Sequence, residues 1–191
     1  SDTTAPTVSS IYPTDNQSGI SITTDNISVT FSEAMDNTSV TTNTDNTTCY
    51  GSFALSSDNF SSCVQMSSSP TNSNSDNKTF TVTHKNNFLH STVYRIRITT
   101  GTKDSAGNTL SSQYESANGY TTNSPPYVAV GYTGTILTSL DGVTWTSRTS
   151  VTSQNLRGGT YGNGTFVIVG TDGTVLTSSD GNGLFDFGFP K

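Results

Sequence analysis

The stretch Tyr94-Arg-Ile-Arg-Ile98 reads as a β-strand with one dry and one wet face: Tyr94, Ile96 and Ile98 fall on one side, Arg95 and Arg97 on the other. Working outward from it, the same period of two recurs in Thr79-Phe-Thr-Val82, Cys63-Val-Gln-Met66, Phe53-Ala-Leu55, Ile27-Ser-Val-Thr-Phe31 and Val8-Ser-Ser-Ile11. Six or seven such strands joined by polar turns predict a β-sandwich. No window carries sustained helical periodicity, so the fold class is all-β.

Composition narrows the function classes. Hydrophobic residues make up 30% and charged residues 12% of the 191, too little charge for charge-driven disorder. The net charge is −6, with eight Lys plus Arg spread thinly. Phosphate binding needs clustered cations, so nucleic acid and anionic membrane are poor partners. No apolar run nears the ~20 residues of a membrane helix. The opening Ser1-Asp2-Thr3-Thr4 has no signal-peptide pattern, so an export signal, if the protein is exported, is expected to be gone already. Cys49 and Cys63 flank a stretch that alternates and turns like a hairpin, which would let the sulfurs face each other. A disulfide, worth roughly 3 kcal/mol for so short a loop, implies an oxidising compartment. Two buried free thiols are the alternative.

The last third of the chain repeats itself. Tyr127-Val-Ala-Val-Gly131 followed by Gly134-Thr-Ile-Leu-Thr-Ser-Leu-Asp-Gly142 returns as Phe166-Val-Ile-Val-Gly170 followed by Gly173-Thr-Val-Leu-Thr-Ser-Ser-Asp-Gly181, an offset of 166 − 127 = 39 residues. That period suits one four-stranded propeller blade, whereas a propeller closes with about four to eight blades. Two copies are therefore either part of a longer propeller or borrow strands from elsewhere, another subunit included. Thr121-Thr-Asn-Ser-Pro-Pro126 marks the boundary, because its prolines cannot donate ladder hydrogen bonds. The expected division is a sandwich over 1–122, a linker over 123–126 and a small antiparallel β module of two repeats over 127–191.

Within the first segment, Ala5-Pro-Thr-Val8, Pro13, Ile27-Ser-Val-Thr-Phe-Ser-Glu-Ala-Met-Asp36, Leu89-His-Ser-Thr-Val-Tyr94 and Ile98-Thr-Thr-Gly-Thr-Lys-Asp-Ser-Ala-Gly-Asn-Thr-Leu110 follow one another in order. Together they resemble the bacterial Ig-like domain of the S-layer and surface-protein type. The resemblance implies an Ig-like sandwich with a structural or adhesive role on secreted and cell-surface proteins and no catalytic residues of its own. Asp2, Asp36 and Asp104 are candidate Ca²⁺ ligands, since hard oxygen donors from loops suit that ion. The competing reading is turn chemistry, with Ser32, Asp36 and Asp104 bonded to local backbone; without a dense Asp-x-Asp-x-Asp loop it is preferred, and no cofactor is expected.

The two repeats resemble those of bacterial propellers related to the Asp-box, or sialidase-type, families. Ser139-Leu-Asp-Gly-Val-Thr-Trp145 is one residue shorter than the Asp-box pattern, which in those families is a structural turn remote from any active site. Trp145 is expected to pack between sheets, with a sugar-stacking platform as the alternative. The second copy departs where the tryptophan strand should begin. There Phe185, Phe187 and Phe189 alternate with Asp186 and Gly188, the pattern of a strand with one strongly apolar face, expected to be held by its own sheet or by a neighbour's edge.

The residues of an active site are missing. His84 and His90 have no metal-ligand spacing, Glu33 and Glu115 form no paired-carboxylate motif, and Arg95, Arg97, Arg148 and Arg157 are too scattered for a sialidase-type cluster. An enzyme is not expected. Three readings remain: an extracellular or cell-surface structural or adhesive module; a subunit that self-assembles into a filament or layer through β-strand addition at Phe185, Phe187 and Phe189; and a carbohydrate-binding module using Trp145, Tyr127, Tyr132 and Tyr161. The matching partners are further copies or other surface proteins, or a glycan.

Overall fold

A computed structural model describes residues 2–72 and 75–181 and the backbone of Asp186–Phe187. The chain forms two compact units, Ser1–Asn123 and Ser124–Lys191.

Among its described residues the first unit has eight strands: β1 (Val8–Tyr12), β2 (Ile27–Phe31), β3 (Phe53–Ser56), β4 (Thr71–Asn72), β5 (Thr79–Val82), β6 (Val93–Ile98), β7 (Tyr114–Glu115) and β8 (Tyr120–Thr121). They make two antiparallel sheets, β1-β2-β5-β4 and β3-β6-β7, with β8 also paired to β6. The alternation read in the sequence places the core. Ile27, Val29 and Phe31 point inward from one sheet, and Tyr94, Ile96 and Ile98 from the other. These residues join Phe53, Leu55, Phe80 and Met35 in one cluster. Phe31 meets Phe80 edge-on at 6.0 Å between ring centroids, a favoured aromatic geometry. On the wet face of β6, Arg95 and Arg97 each reach Glu115 at 3.0 Å, and the Arg97 guanidinium lies 3.6 Å over the Phe60 ring.

Cys49 and Cys63 are joined by a disulfide, with Cα atoms 5.0 Å apart. The hairpin expected between them is not formed. β3 pairs instead with β6, and the chain returns to Cys63 through a turn around Asp58, whose carboxylate accepts from Ser56 Oγ at 2.8 Å and Ser62 Oγ at 2.6 Å. The strand expected over Cys63–Met66 is likewise only an isolated bridge between Met66 and His84. Its amides bond to two segments, the loop before β3 and β3 itself, with Cys63 N donating to Thr47 O, Met66 N to Asn43 O and Val64 N to Leu55 O. A ladder needs a single partner strand, so alternation alone overcalled this segment.

The second unit contains β9 (Tyr127–Val130), β10 (Ile136–Ser139), β11 (Thr146–Arg148), β12 (Leu156–Gly162), β13 (Thr165–Gly170), β14 (Val175–Ser178) and β15 (Asp186–Phe187). Its two antiparallel sheets run β11-β10-β9 and β12-β13-β14-β15. The sequence repeat is also a repeat of register: Tyr127 pairs with Ser139 as Phe166 pairs with Ser178, and Val130 with Ile136 as Val169 with Val175. The hairpin turns match as well. Thr133 (φ 51) and Gly134 (φ 72) are reproduced by Asp172 (φ 53) and Gly173 (φ 70), left-handed positions where glycine is the cheapest residue.

The second copy carries a fourth strand that the sequence reading left open. The backbone of Asp186–Phe187 pairs with Thr177 and Leu176 of β14, beside which it lies as β11 lies beside β10. Phe185 and Phe189, named above as interaction residues, lie outside the described residues, as does the side chain of Phe187.

Candidate functional site

Each sheet of the second unit has two faces, and register decides which residues share one. Val128, Val130, Ile136 and Thr138 form one face of the first copy, and Val167, Val169, Val175 and Thr177 are its counterpart in the second. The opposite face is Tyr127, Ala129, Leu137 and Ser139 in the first copy, answered by Phe166, Ile168, Leu176 and Ser178 in the second.

The two copies bury opposite faces. Ile136 of the first copy and Phe166, Ile168 and Leu176 of the second share one core with Leu156, and Val128 and Val130 pack against it. On the valine face of the second copy Val169 is 46% exposed while Val167 and Val175 are half-buried, and on the tyrosine face of the first Tyr127 is 61% exposed while Ala129 and Leu137 are half-buried. Two glycines of β12 register the same asymmetry. A Cβ built on Gly159 would press on Ile168 and the Val167 carbonyl, whereas one on Gly158 would meet nothing within 4 Å. Backbone bonds tie the copies together, Leu156 N donating to Gly131 O and Gly134 N to Gln154 O, each at 2.9 Å. A cleft of about 170 Å³ lined by Val128, Val130, Gly159, Tyr161, Phe166 and Ile168 runs along this seam.

The Asp-box-like segment is a self-contained turn. The Asp141 carboxylate accepts from Val143 N and Thr144 N at 2.8 Å and from Ser139 Oγ at 2.9 Å. These donors, the Thr144 and Val143 amides foremost, hold its pKa down at about 2. The second copy repeats the core of the turn, with Ser178 Oγ donating to Asp180 and Gly181 N donating to Ser178 Oγ, each at 3.1 Å. Trp145 is 41% exposed, and its indole N–H closes on the Gly142 carbonyl at 3.2 Å. It therefore braces its own turn.

Of the aromatic residues named as a sugar platform, Tyr127 and Trp145 both border Gly142: a Cβ there would meet the Tyr127 ring at 3.9 Å, and its carbonyl accepts the Trp145 indole N–H. Tyr127 and Tyr132 lie at opposite ends of β9, both exposed, and Arg157 stands 5.7 Å from the Tyr132 ring. Tyr161 is half-buried against Phe166 at 4.5 Å between centroids.

In the first unit, the two loop motifs that carried the family resemblance are clamped side by side. Asp36 N donates to Lys103 O at 2.9 Å and Ser105 N to Ala34 O at 3.0 Å. Of the candidate calcium ligands, Asp2 and Asp104 come together, and the third carboxylate beside them is Glu33, one ligand oxygen of each lying within 4.8 Å of the others. Asp36 is elsewhere, accepting from Thr38 N at 2.9 Å and Thr38 Oγ1 at 2.7 Å. Burial raises the pKa of Asp104, but donors from Asn108, Ala106 and Gly107 outweigh it and leave the carboxyl below its ordinary value. Glu33 is raised, by burial first and then by the Asp2 and Asp104 charges. Spacing in the sequence could not select Glu33, because the strand end at Phe31 and the turn after Lys103 meet only in the folded sandwich. His84 is held by backbone carbonyls, Nδ1 2.7 Å from Asn86 O and Nε2 2.9 Å from Thr24 O.

The sandwich, its paired loop motifs and its order of strands agree with a match of residues 2–122 to the family described as bacterial Ig-like domain. The chain belongs to that family. No curated protein matches it. Among solved structures, the chain is similar to the N-terminal part of the bacterial S-layer protein SbsC, with 15% identity and a TM-score of 0.44 over 95% of this chain and 42% of that one. It is also similar to domains 1–6 of surface layer protein SbsC, with 15% identity and a TM-score of 0.43 over 96% of this chain and 26% of that one. The chain thus spans less than half the length of either. Among the described residues of the Ig-like domain and the repeat unit, no helix is long and apolar enough to cross a membrane.

Proposed function

We propose that this chain is an extracellular, non-catalytic structural module of a bacterial surface, in which an Ig-like domain carries a pair of propeller-type repeats. The observation that carries the reading is membership of the Ig-like family over residues 2–122. The Cys49–Cys63 disulfide supports export, because such bonds persist in oxidising compartments. The propeller-type reading of residues 127–191 draws support from the 39-residue period, the repeated hairpin register and the four antiparallel strands of the second copy. Protease shaving and surface biotinylation of intact producing cells test the placement. The chain should be labelled from outside and carry no free thiol after denaturation. Recovery only inside the cytoplasmic membrane, with both cysteines reduced, defeats the reading.

A glycan-binding role is the second reading, favoured by the exposure of Tyr127, Tyr132 and Trp145. Loss of a glycan-array signal in Trp145→Ala would support it, and an array without signal for the intact chain would end it.

A further inference from the structure

Asparagine followed by glycine is the pair most open to internal attack, because glycine puts no Cβ beside the peptide nitrogen that closes on the asparagine side chain. The chain carries the pair three times, at Asn118-Gly119, Asn163-Gly164 and Asn182-Gly183, the last outside the described residues. Both described asparagines are exposed, and their glycines share a left-handed backbone, φ 77 at Gly119 and φ 76 at Gly164. Their surroundings differ. Asp15 grips the first pair with both oxygens: Oδ1 accepts from Gly119 N at 2.6 Å and Asn118 N at 3.0 Å, and Oδ2 from Asn118 Nδ2 at 3.3 Å. Gly119 is buried, its carbonyl takes Asn16 N at 2.7 Å, and a Cβ there would run into the Tyr94 carbonyl. The nitrogen that would have to attack is thus tied to a carboxylate, whose charge also opposes the loss of its proton. Asn163-Gly164 is the two-residue turn between β12 and β13, closed by the pairing of Gly162 with Thr165. Asn163 at φ 49 and Gly164 at φ 76 give it the left-handed pair of a type I′ hairpin. Among the described residues no acceptor takes the Gly164 N–H and nothing bonds the Asn163 side-chain amide.

We propose that Asn163 is a site of spontaneous deamidation in the folded chain, and that Asp15 shields Asn118 from the same reaction. The Gly164 nitrogen, on giving its proton to hydroxide, attacks Asn163 Cγ. The new N–Cγ bond closes a succinimide, and the Cγ–Nδ2 bond breaks as ammonia leaves with a proton from water. A second water then opens the ring. Cleavage of the bond between Cγ and nitrogen gives aspartate with the backbone restored, whereas cleavage at the main-chain carbonyl gives isoaspartate, in which the backbone runs through the side chain. Asp-Gly suits the same turn. Isoaspartate adds a methylene to a two-residue turn, so Gly162 and Thr165 lose their alignment and the register that seats Phe166 and Ile168 in the core of the repeat unit is strained. The inference goes beyond the surface reading above and does not rest on it.

Peptide mapping of the intact chain, held folded in mildly alkaline buffer, is the test, with isoaspartate detected by enzymatic methylation. Asn163 should lose its amide at least about tenfold faster than Asn118. In urea, where glycine follows each asparagine and neither pair is held, the two rates should come together. Asp15→Ala should raise the rate at Asn118 in native buffer and leave that at Asn163 unchanged, and the native ratio decides the question even where that variant does not fold. Chains carrying isoaspartate at position 163 should unfold at lower urea than Asn163→Asp, which separates the lengthened backbone from the added charge. An Asn118 that keeps pace with Asn163 in the folded chain, an Asn163 that reacts in urea and not in native buffer, or a folded Asp15→Ala chain with Asn118 still inert overturns the proposal.

Discussion

The two repeats share a register, a turn and most of their sequence, yet they bury opposite faces. Leu176 is fully buried while its counterpart Leu137 is only half covered, and Ile136 is fully buried while its counterpart Val175 is not. Local sequence cannot make that choice, because the alternation supplies two apolar faces in each copy. The neighbour makes it: each sheet turns toward the seam the face that its position in the stack presents. A repeat is therefore half of a core, and its stability depends on what lies next to it.

The largest test of this comparison is a matched truncation. Leu176→Ala should cost about 2–5 kcal/mol, as for a fully enclosed leucine. Leu137→Ala, the same substitution at the same place in the other copy, should cost about 1 kcal/mol or less, as for a side chain still partly in water. Urea unfolding monitored in the repeat unit decides it. Equal losses would mean that burial is set within each repeat and that the asymmetry of the faces has no energetic content.

A second pair sharpens the contrast at the turns. Gly134 and Gly173 both hold left-handed backbone, so alanine at either costs about 1–2 kcal/mol from conformation alone. A Cβ at Gly134 would also collide with the Thr152 carbonyl and Ser150 Oγ, whereas one at Gly173 meets nothing within 4 Å. Gly134→Ala should therefore be worse than Gly173→Ala by about 1–3 kcal/mol, the usual penalty for overpacking. Similar melting midpoints for the two variants would show that the segment after β11 yields freely.

The sandwich was legible in the sequence because β2, β5 and β6 each alternate a buried face with a more exposed one, whereas β3 is buried on both. Tyr94, Ile96 and Ile98 are buried, and Arg95 and Arg97 share Glu115 on the outside, as the alternation demands. The same rule overreached at Cys63–Met66, where alternation comes from separate anchor points along an irregular segment. It could not find β4, β7 or β8, two residues each, whose pairing depends on neighbours distant in sequence. The hairpins of the repeat unit were equally readable, since repeated glycines mark repeated left-handed turns. Which face each hairpin would bury was not, nor was the meeting of Glu33 with Asp2 and Asp104, because both depend on packing between segments that share no local pattern.

Acid should act on the two units through similar devices. Asp58 in the Ig-like domain is held at about 2 by Ser62 and Ser56 donors, and Asp141 in the first repeat at about 2 by the Thr144 and Val143 amides. A carboxyl whose pKa is lower folded than unfolded stabilises the fold above the unfolded value, and that contribution is lost as pH falls through the folded value. For both residues the window runs from about 4 down to about 2. Asp141→Asn should flatten the acid dependence of the repeat unit in that window and leave the Ig-like domain unchanged, and Asp58→Asn should do the reverse. Unfolding followed separately in each unit across pH 2–5 checks this, and a variant that alters both units equally would tie them into one cooperative block.

Calcium is the smallest expected effect. Ca²⁺ takes six to eight oxygens at about 2.3–2.6 Å, and the cluster offers one oxygen each from Asp2, Glu33 and Asp104. Asp104 already accepts from Ala106 N and Asn108 N at 2.8 Å and from the Asn108 amide at 2.7 Å, and Asp2 from Thr4 N at 2.9 Å. These bonds satisfy the carboxylates without an ion, and capturing one would mean giving several of them up. Glu33 is the unsettled member: its raised pKa means that its ionised form opposes folding, with full stability below the unfolded value and a loss as pH rises through the folded one. Glu33→Gln should therefore raise the melting midpoint slightly at pH 7, and millimolar calcium should move it by less than about 2 °C in the unmodified chain, no more than the shift for about 1 kcal/mol in a chain of this size. A chelator-reversible rise of more than about 5 °C that disappears in Glu33→Gln would place a cation among the three carboxylates. It would also make the Ig-like domain, and not the repeat pair, the half of the molecule whose stability is set by an external partner.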